Sequence, residues 1–168
     1  MVRILILNLI IILISTQSYG QEESDILDEL KRPRETDSLY IESIKNYTIQ
    51  LDSLYKKHPS TEWNSNIIYI QYESYLFRIP KVINGYEIVM LNNTNRKEHF
   101  RKNKNHLSLV EISALSLRDG LFYITLTPYG ARLKGKNKLE LSYSSYFRTY
   151  FEYQDGRLIF KKMESGGI

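Results

Sequence analysis

The spacing of apolar positions changes twice along the chain. An unbroken apolar run extends from Ile4 to Leu7 and, after Asn8, from Leu9 to Ile14. From Ser24 to about His58 the apolar residues recur at three and four. Tyr40, Ile44, Tyr47, Leu51, Leu54 and Tyr55 form one stripe, the pattern of an amphipathic helix. Pro33 interrupts it, so the spacing predicts a short acidic helix over Ser24 to Lys31 and a longer one over about Thr36 to Lys57. Thr36 fits an N-cap, and Asp37 suits the positive end of the helix dipole. Lys56, Lys57 and His58 suit the negative end, and Pro59 stops the helix.

After Trp63 the period falls to two. Strands are expected at Ile67 to Tyr72, Tyr75 to Ile79, Tyr86 to Leu91, Leu107 to Leu117, Leu121 to Thr127, Leu139 to Tyr153 and Leu158 to Lys162. Asn84-Gly85, Asp119-Gly120 and Asp155-Gly156 tolerate positive φ, so each pair suits a tight hairpin. The longest run alternates throughout. Leu139, Leu141, Tyr143, Phe147, Phe151 and Tyr153 point one way; Glu140, Ser142, Ser144, Arg148 and Glu152 point the other. The expected fold is α+β, with an N-terminal helix or helix pair packed on a curved antiparallel meander of about six to seven strands. Cystatin-like and NTF2-like helix-on-sheet arrangements are the nearest shapes.

The N-terminal run is best read as a cleavable leader. Arg3 supplies the positive n-region, about ten apolar residues the h-region, and Ser18-Tyr19-Gly20 a small-x-small ending. A membrane anchor is the rival reading. Spanning takes roughly 20 apolar residues, and acids (Glu22, Glu23, Asp25) follow where a stop-transfer would carry cations. Cleavage is expected after Gly20, leaving one domain over residues 21–168, periplasmic or secreted, with no transmembrane segment. N-terminal sequencing of the exported chain should read Gln21 first; Met1 or Val2 on membrane-bound protein would contradict export with cleavage. The 168 residues include no cysteine, which excludes a disulfide framework, thiolate zinc and a lipoprotein anchor. That absence, with a composition rich in Asn, Ile, Lys and Tyr, suits a bacterial envelope protein.

Charge adds the most specific feature. The chain carries +4, and removing Arg3 with the leader leaves +3. Residues 96–105 hold Arg96, Lys97, Arg101, Lys102 and Lys104, with Glu98 the one acid. Residues 130–138 hold Arg132, Lys134, Lys136 and Lys138 and no acid. In a meander, the loop before Leu107 and the loop after Thr127 fall at the same end of the sheet. Nine cations and one acid would then share that end, a polarity fit for an anionic glycan, a lipid headgroup or an acidic protein. Lysine-rich loops also serve solubility and blunt sheet ends, so the pattern has an ordinary reading beside the functional one. Nucleic acid is remote for an exported chain.

Catalytic chemistry finds no signature. His58, His99 and His106 are the only histidines, and the last two lie among cations that would repel a metal. There is no Gly-x-Ser-x-Gly elbow and no phosphate-cradling glycine loop before a helix, so no cofactor is expected. Glu73, Glu87, Glu111, Asp119, Glu140 and Glu152 are available carboxylates, and nothing selects a pair of them. The expected function is a non-enzymatic binding or envelope-interaction protein. The alternative is a hydrolase of an envelope polymer with unassigned carboxylates. Tyr146 and Tyr150, on the polar side of the long strand, either form a stacking platform or cover a neighbouring strand.

The stretch from Ile112 through Asp119-Gly120 to Thr127, the Glu164-Ser165-Gly166-Gly167-Ile168 ending and a leader cut before Gln21 resemble small uncharacterised exported proteins of Gram-negative bacteria. The resemblance implies export and no particular activity or site residue.

Overall fold

A computed structural model describes residues 35–59, 65–135, 138–143 and 145–167. The helix expected over Ser24 to Lys31 lies outside these residues. The longer helix is present as α1 (Glu35–Lys57), with Glu35 and Asp37 in its first turn and Lys56 and Lys57 in its last. Thr36, expected as its cap, is the second helical residue instead. Nine strands form one mostly antiparallel sheet: β1 (Ile67–Gln71), β2 (Val82–Ile83), β3 (Tyr86–Leu91), β4 (His106–Ile112), β5 (Ser116–Arg118), β6 (Leu121–Lys134), β7 (Lys138–Tyr143), β8 (Ser145–Gln154) and β9 (Arg157–Gly167). A second helix, α2 (Arg96–Lys102), joins β3 to β4. No described helix is long and apolar enough to cross a membrane.

The architecture is α+β, but it is not a plain meander. The order is β2-β3-β1-β4-β6-β8-β9, and β1 runs parallel to both of its neighbours, β3 and β4. Parallel neighbours need crossovers: the segment with the 3₁₀ turn at Ser74–Leu76 and β2 connects β1 to β3, and α2 lies on the connection from β3 past β1 to β4. Both faces of this part of the sheet are consequently buried. Ile68, Ile70 and Ile88 join the core under α1, while Tyr69, Leu91, Leu107 and Leu109 pack with Phe100 of α2 on the opposite face.

Two expected strands run longer than their alternation, Leu121 to Thr127 on to Lys134 and Leu158 to Lys162 on to Gly167, so Arg132 and Lys134 stand on a strand and not in a loop. Three others change for physical reasons. Tyr75 to Ile79 is not a strand; Ser74–Leu76 is a single 3₁₀ turn, with Pro80 soon after unable to donate to a ladder. Leu107 to Leu117 breaks at Ser113, whose hydroxyl accepts from the Thr125 amide (2.9 Å), separating β4 from β5. Leu139 to Tyr153 divides into β7 and β8, and the division matters more. Against β6, Lys138 pairs Lys134 and Tyr143 pairs Tyr129, whereas Phe147 pairs Leu126 and Phe151 pairs Phe122. The pairing slips by one residue between the two strands. A one-residue slip moves every later side chain to the other face. Phe147 and Phe151 therefore enter the core under α1, while Leu141 and Tyr143 are exposed on the far side.

Candidate functional site

β6 is the spine of the sheet, and its C-terminal half organises the basic end. His106 pairs Arg132, and Asn105 Nδ2 donates to the Leu133 carbonyl at 2.9 Å. The turn carrying Lys104 is thus clasped to the strand carrying Arg132 and Lys134. Lys104 and Asn105 both have positive φ (53° and 65°), a conformation that costs a side-chain-bearing residue roughly 1–3 kcal/mol. The Asn105 amide bonding Phe100 O (2.7 Å) and the His106 amide bonding Asn103 O (3.0 Å) hold it there. Across the hairpin, Lys134 stands directly opposite Lys138, a like-charge pair that repels.

Arg101, Lys102, Lys104, Arg132, Lys134 and Lys138 therefore share one end of the sheet. Arg96 and Lys97 do not join them. They occupy the start of α2, about 7.5–9 Å from Lys102 along the helix axis. Arg96 is half-buried and donates to the Asn93 side chain. Lys136 lies outside the described residues. Two of the shared cations are offset: Lys102 pairs Glu98 and Lys134 pairs Glu140, both at 2.6 Å. Hydrogen bonds from these ammonium groups hold both carboxyls below the usual carboxylate range, so both pairs are intact at neutral pH. Arg101, Lys104, Arg132 and Lys138 have no ion-pair partner among the described residues.

The end of the sheet also opens into a cavity that sequence reasoning missed. The stripe of α1 is buried at Leu39, Tyr40, Ile44 and Tyr47, but Leu51 and Tyr55 are only half-buried and Leu54 is 43 % exposed. The cause lies in the sheet beneath. Under the first half of α1 stand Val110, Ile112, Ile124, Leu126 and Phe147. Under the second half Ser108, Gly130 and Ser142 stand side by side across β4, β6 and β7. Ser142 donates to the Gly130 carbonyl (3.1 Å), and a side chain at 130 would collide with it. Small residues leave the helix nothing to seal against. The result is a cavity of about 350 Å³ that Ser108, Gly130 and Ser142 line together. A larger cavity of about 720 Å³ adjoins it at Ser108, with Lys102, Lys104 and His106 in its wall. The two share Tyr47, Leu51, Tyr55 and Ser108, so they form one groove. No carboxylate lines either cavity among the described residues.

The remaining candidates resolve into structural roles. Tyr146 lies flat over Gly166 of β9, with ring atoms 2.8–2.9 Å from where a Cβ would stand. Tyr150 donates to Glu164 at 2.6 Å, and Arg148 sits between the Tyr123 and Tyr146 rings, 5.0 and 5.1 Å from their centroids. This ladder ties β6, β8 and β9 together, the strand-covering role weighed for these tyrosines. Among the carboxylates, Glu140 and Glu152 are held low by Lys134 and Lys161, which makes them poor general acids. Compared with models of known protein families, with curated proteins and with solved structures, the chain matches none.

Proposed function

We propose that this chain is an exported, non-enzymatic binding protein whose basic sheet end holds an anionic partner. The supporting observation is the clasp between the Lys104 turn and the Arg132 strand, which gathers cations that have no ion-pair partner among the described residues beside the opposed pair Lys134 and Lys138. Holding like charges together costs free energy that an anion would recover. A helix over a sheet, in the cystatin-like or NTF2-like sense, is the frame, with α1 as one wall of the site. Among the described residues the cavity walls hold no carboxylate, which favours binding over hydrolysis of a glycan.

The test is retention of the mature protein on an immobilised polysulfated glycan across a salt gradient. Charges within about 10 Å still sense one another at 0.1 M salt, so retention should fall steeply as salt rises. Lys104→Glu with Arg132→Glu should weaken binding by about tenfold or more, about 1.4 kcal/mol. Arg118→Glu with Arg157→Glu makes the same charge change at the opposite end of the sheet and should matter far less. Equal losses in the two double variants would reduce the effect to net charge and remove the site.

A further inference from the structure

We propose that the groove beneath the C-terminal half of α1 takes the alkyl tail of a single-chain amphiphile, with its phosphate or carboxylate head at the basic mouth. The inference rests on the basic-end reading and adds the chemistry of the ligand to it. The larger cavity, about 720 Å³, is within the ~300–1,000 Å³ span of small-molecule sites. Leu51, Tyr55 and Val110 line it beside the polar Ser65, Asn103 and Ser108, whereas the adjoining cavity, walled by Leu51, Leu54, Tyr55, Pro128 and Phe147, is the part that satisfies a hydrocarbon. The cations of the larger cavity, Lys102 and Lys104, stand with His106 in one short stretch from the end of α2 to the start of β4. Apolar walls and cations in one short stretch complement a molecule with an apolar body and one anionic end. The adjoining cavity extends the groove past Ser108 towards Pro128, Gly130 and Ser142, which suits an extended tail better than a compact ring.

The head is held by the cations already described, and the tail by burial alone. These two contributions separate experimentally. Titration calorimetry of the mature protein would use octyl, decyl and dodecyl phosphate below their micelle concentrations, with inorganic phosphate and dodecyl maltoside alongside. Affinity should rise about fourfold per added methylene, the ~0.8 kcal/mol of a buried CH₂. Inorganic phosphate should bind far more weakly than dodecyl phosphate. Ser108→Phe places a ring in the shared part of the groove from an exposed position, so the fold should survive. It should cut dodecyl phosphate binding at least thirtyfold and leave glycan retention unchanged. Leu51→Trp fills the groove from the helix side and should give the same loss should Ser108→Phe fail to fold.

Lys104→Glu with Arg132→Glu should weaken dodecyl phosphate while sparing dodecyl maltoside. An unchanged dodecyl phosphate affinity in that variant, with the chain-length dependence intact, overturns the basic head site and keeps the tail groove. Affinity flat across the three chain lengths, or untouched in a folded Ser108→Phe protein, overturns the groove even where glycan binding stands.

Discussion

Replacing Phe100 by alanine should cost about 3–5 kcal/mol of folding stability, the usual loss for a fully buried aromatic. Phe100 is 1 % exposed and is the one buried residue of α2. It packs among Tyr69, Leu91, Leu107, Leu109 and Ala131 on the face away from α1. A helix of seven residues does not form alone in water, and Asn95 gives it no side-chain cap, so packing through this ring holds it. The consequence reaches the basic end. Arg101 and Lys102 are on α2, and the Lys104 turn hangs from the Phe100 carbonyl through the Asn105 amide. Phe100→Ala should therefore lower glycan retention even at temperatures where the rest of the sheet is folded. Lys97→Ala, exposed on the same helix, should change stability by under about 0.5 kcal/mol. Urea titrations followed by far-UV circular dichroism compare the two; similar midpoints would mean that α2 is not anchored through Phe100.

What was legible in the sequence follows a physical boundary. The helix over Glu35–Lys57 was readable because its period is local and its ends carry the charges that a helix dipole favours. The hairpins at Asn84-Gly85, Asp119-Gly120 and Asp155-Gly156 were readable because each needs positive φ at both residues, and all six have it. The parallel arrangement was signalled more weakly. Ile67-Ile68-Tyr69-Ile70 is an unbroken apolar run, as expected of a strand buried on both faces, yet a run of four does not name its neighbours. The slip between Tyr143 and Ser145 has no local mark at all. Alternation continues through it in the sequence, and only pairing with β6 reveals that the faces exchange.

The candidate site divides the same way. Cation content was a matter of counting, and convergence followed from placing the two basic stretches at the ends of neighbouring strands. In the sequence alone, residues 96–105 read as one loop. α2 instead carries Arg96 and Lys97 away from the shared end, and β6 runs on through Arg132 to Lys134 as regular strand. The groove was not readable from the helix, whose stripe continues unchanged to Tyr55. It exists because Ser108, Gly130 and Ser142, up to 34 residues apart in sequence, meet in register. A deficit of volume made by three strands together has no signature in any one of them.

That deficit sets the second large effect. Ile44→Ala should cost about 2–5 kcal/mol, because Ile44 is 0 % exposed over a floor of large side chains and its loss leaves a cavity. Leu51→Ala, two turns further along the same stripe, should cost less than half as much. Leu51 already faces the groove, so truncation enlarges a space open to solvent and forfeits only part of the transfer free energy. Period alone would rank the two positions as equals, since both belong to one apolar face. The difference between them measures how far the sheet supports the helix. Both variants should keep the wild-type dependence on urea concentration, because neither changes how much surface unfolding exposes. Equal losses at Ile44 and Leu51 would mean that α1 is sealed against the sheet along its whole length, and the groove would lose its physical basis together with the ligand proposed for it.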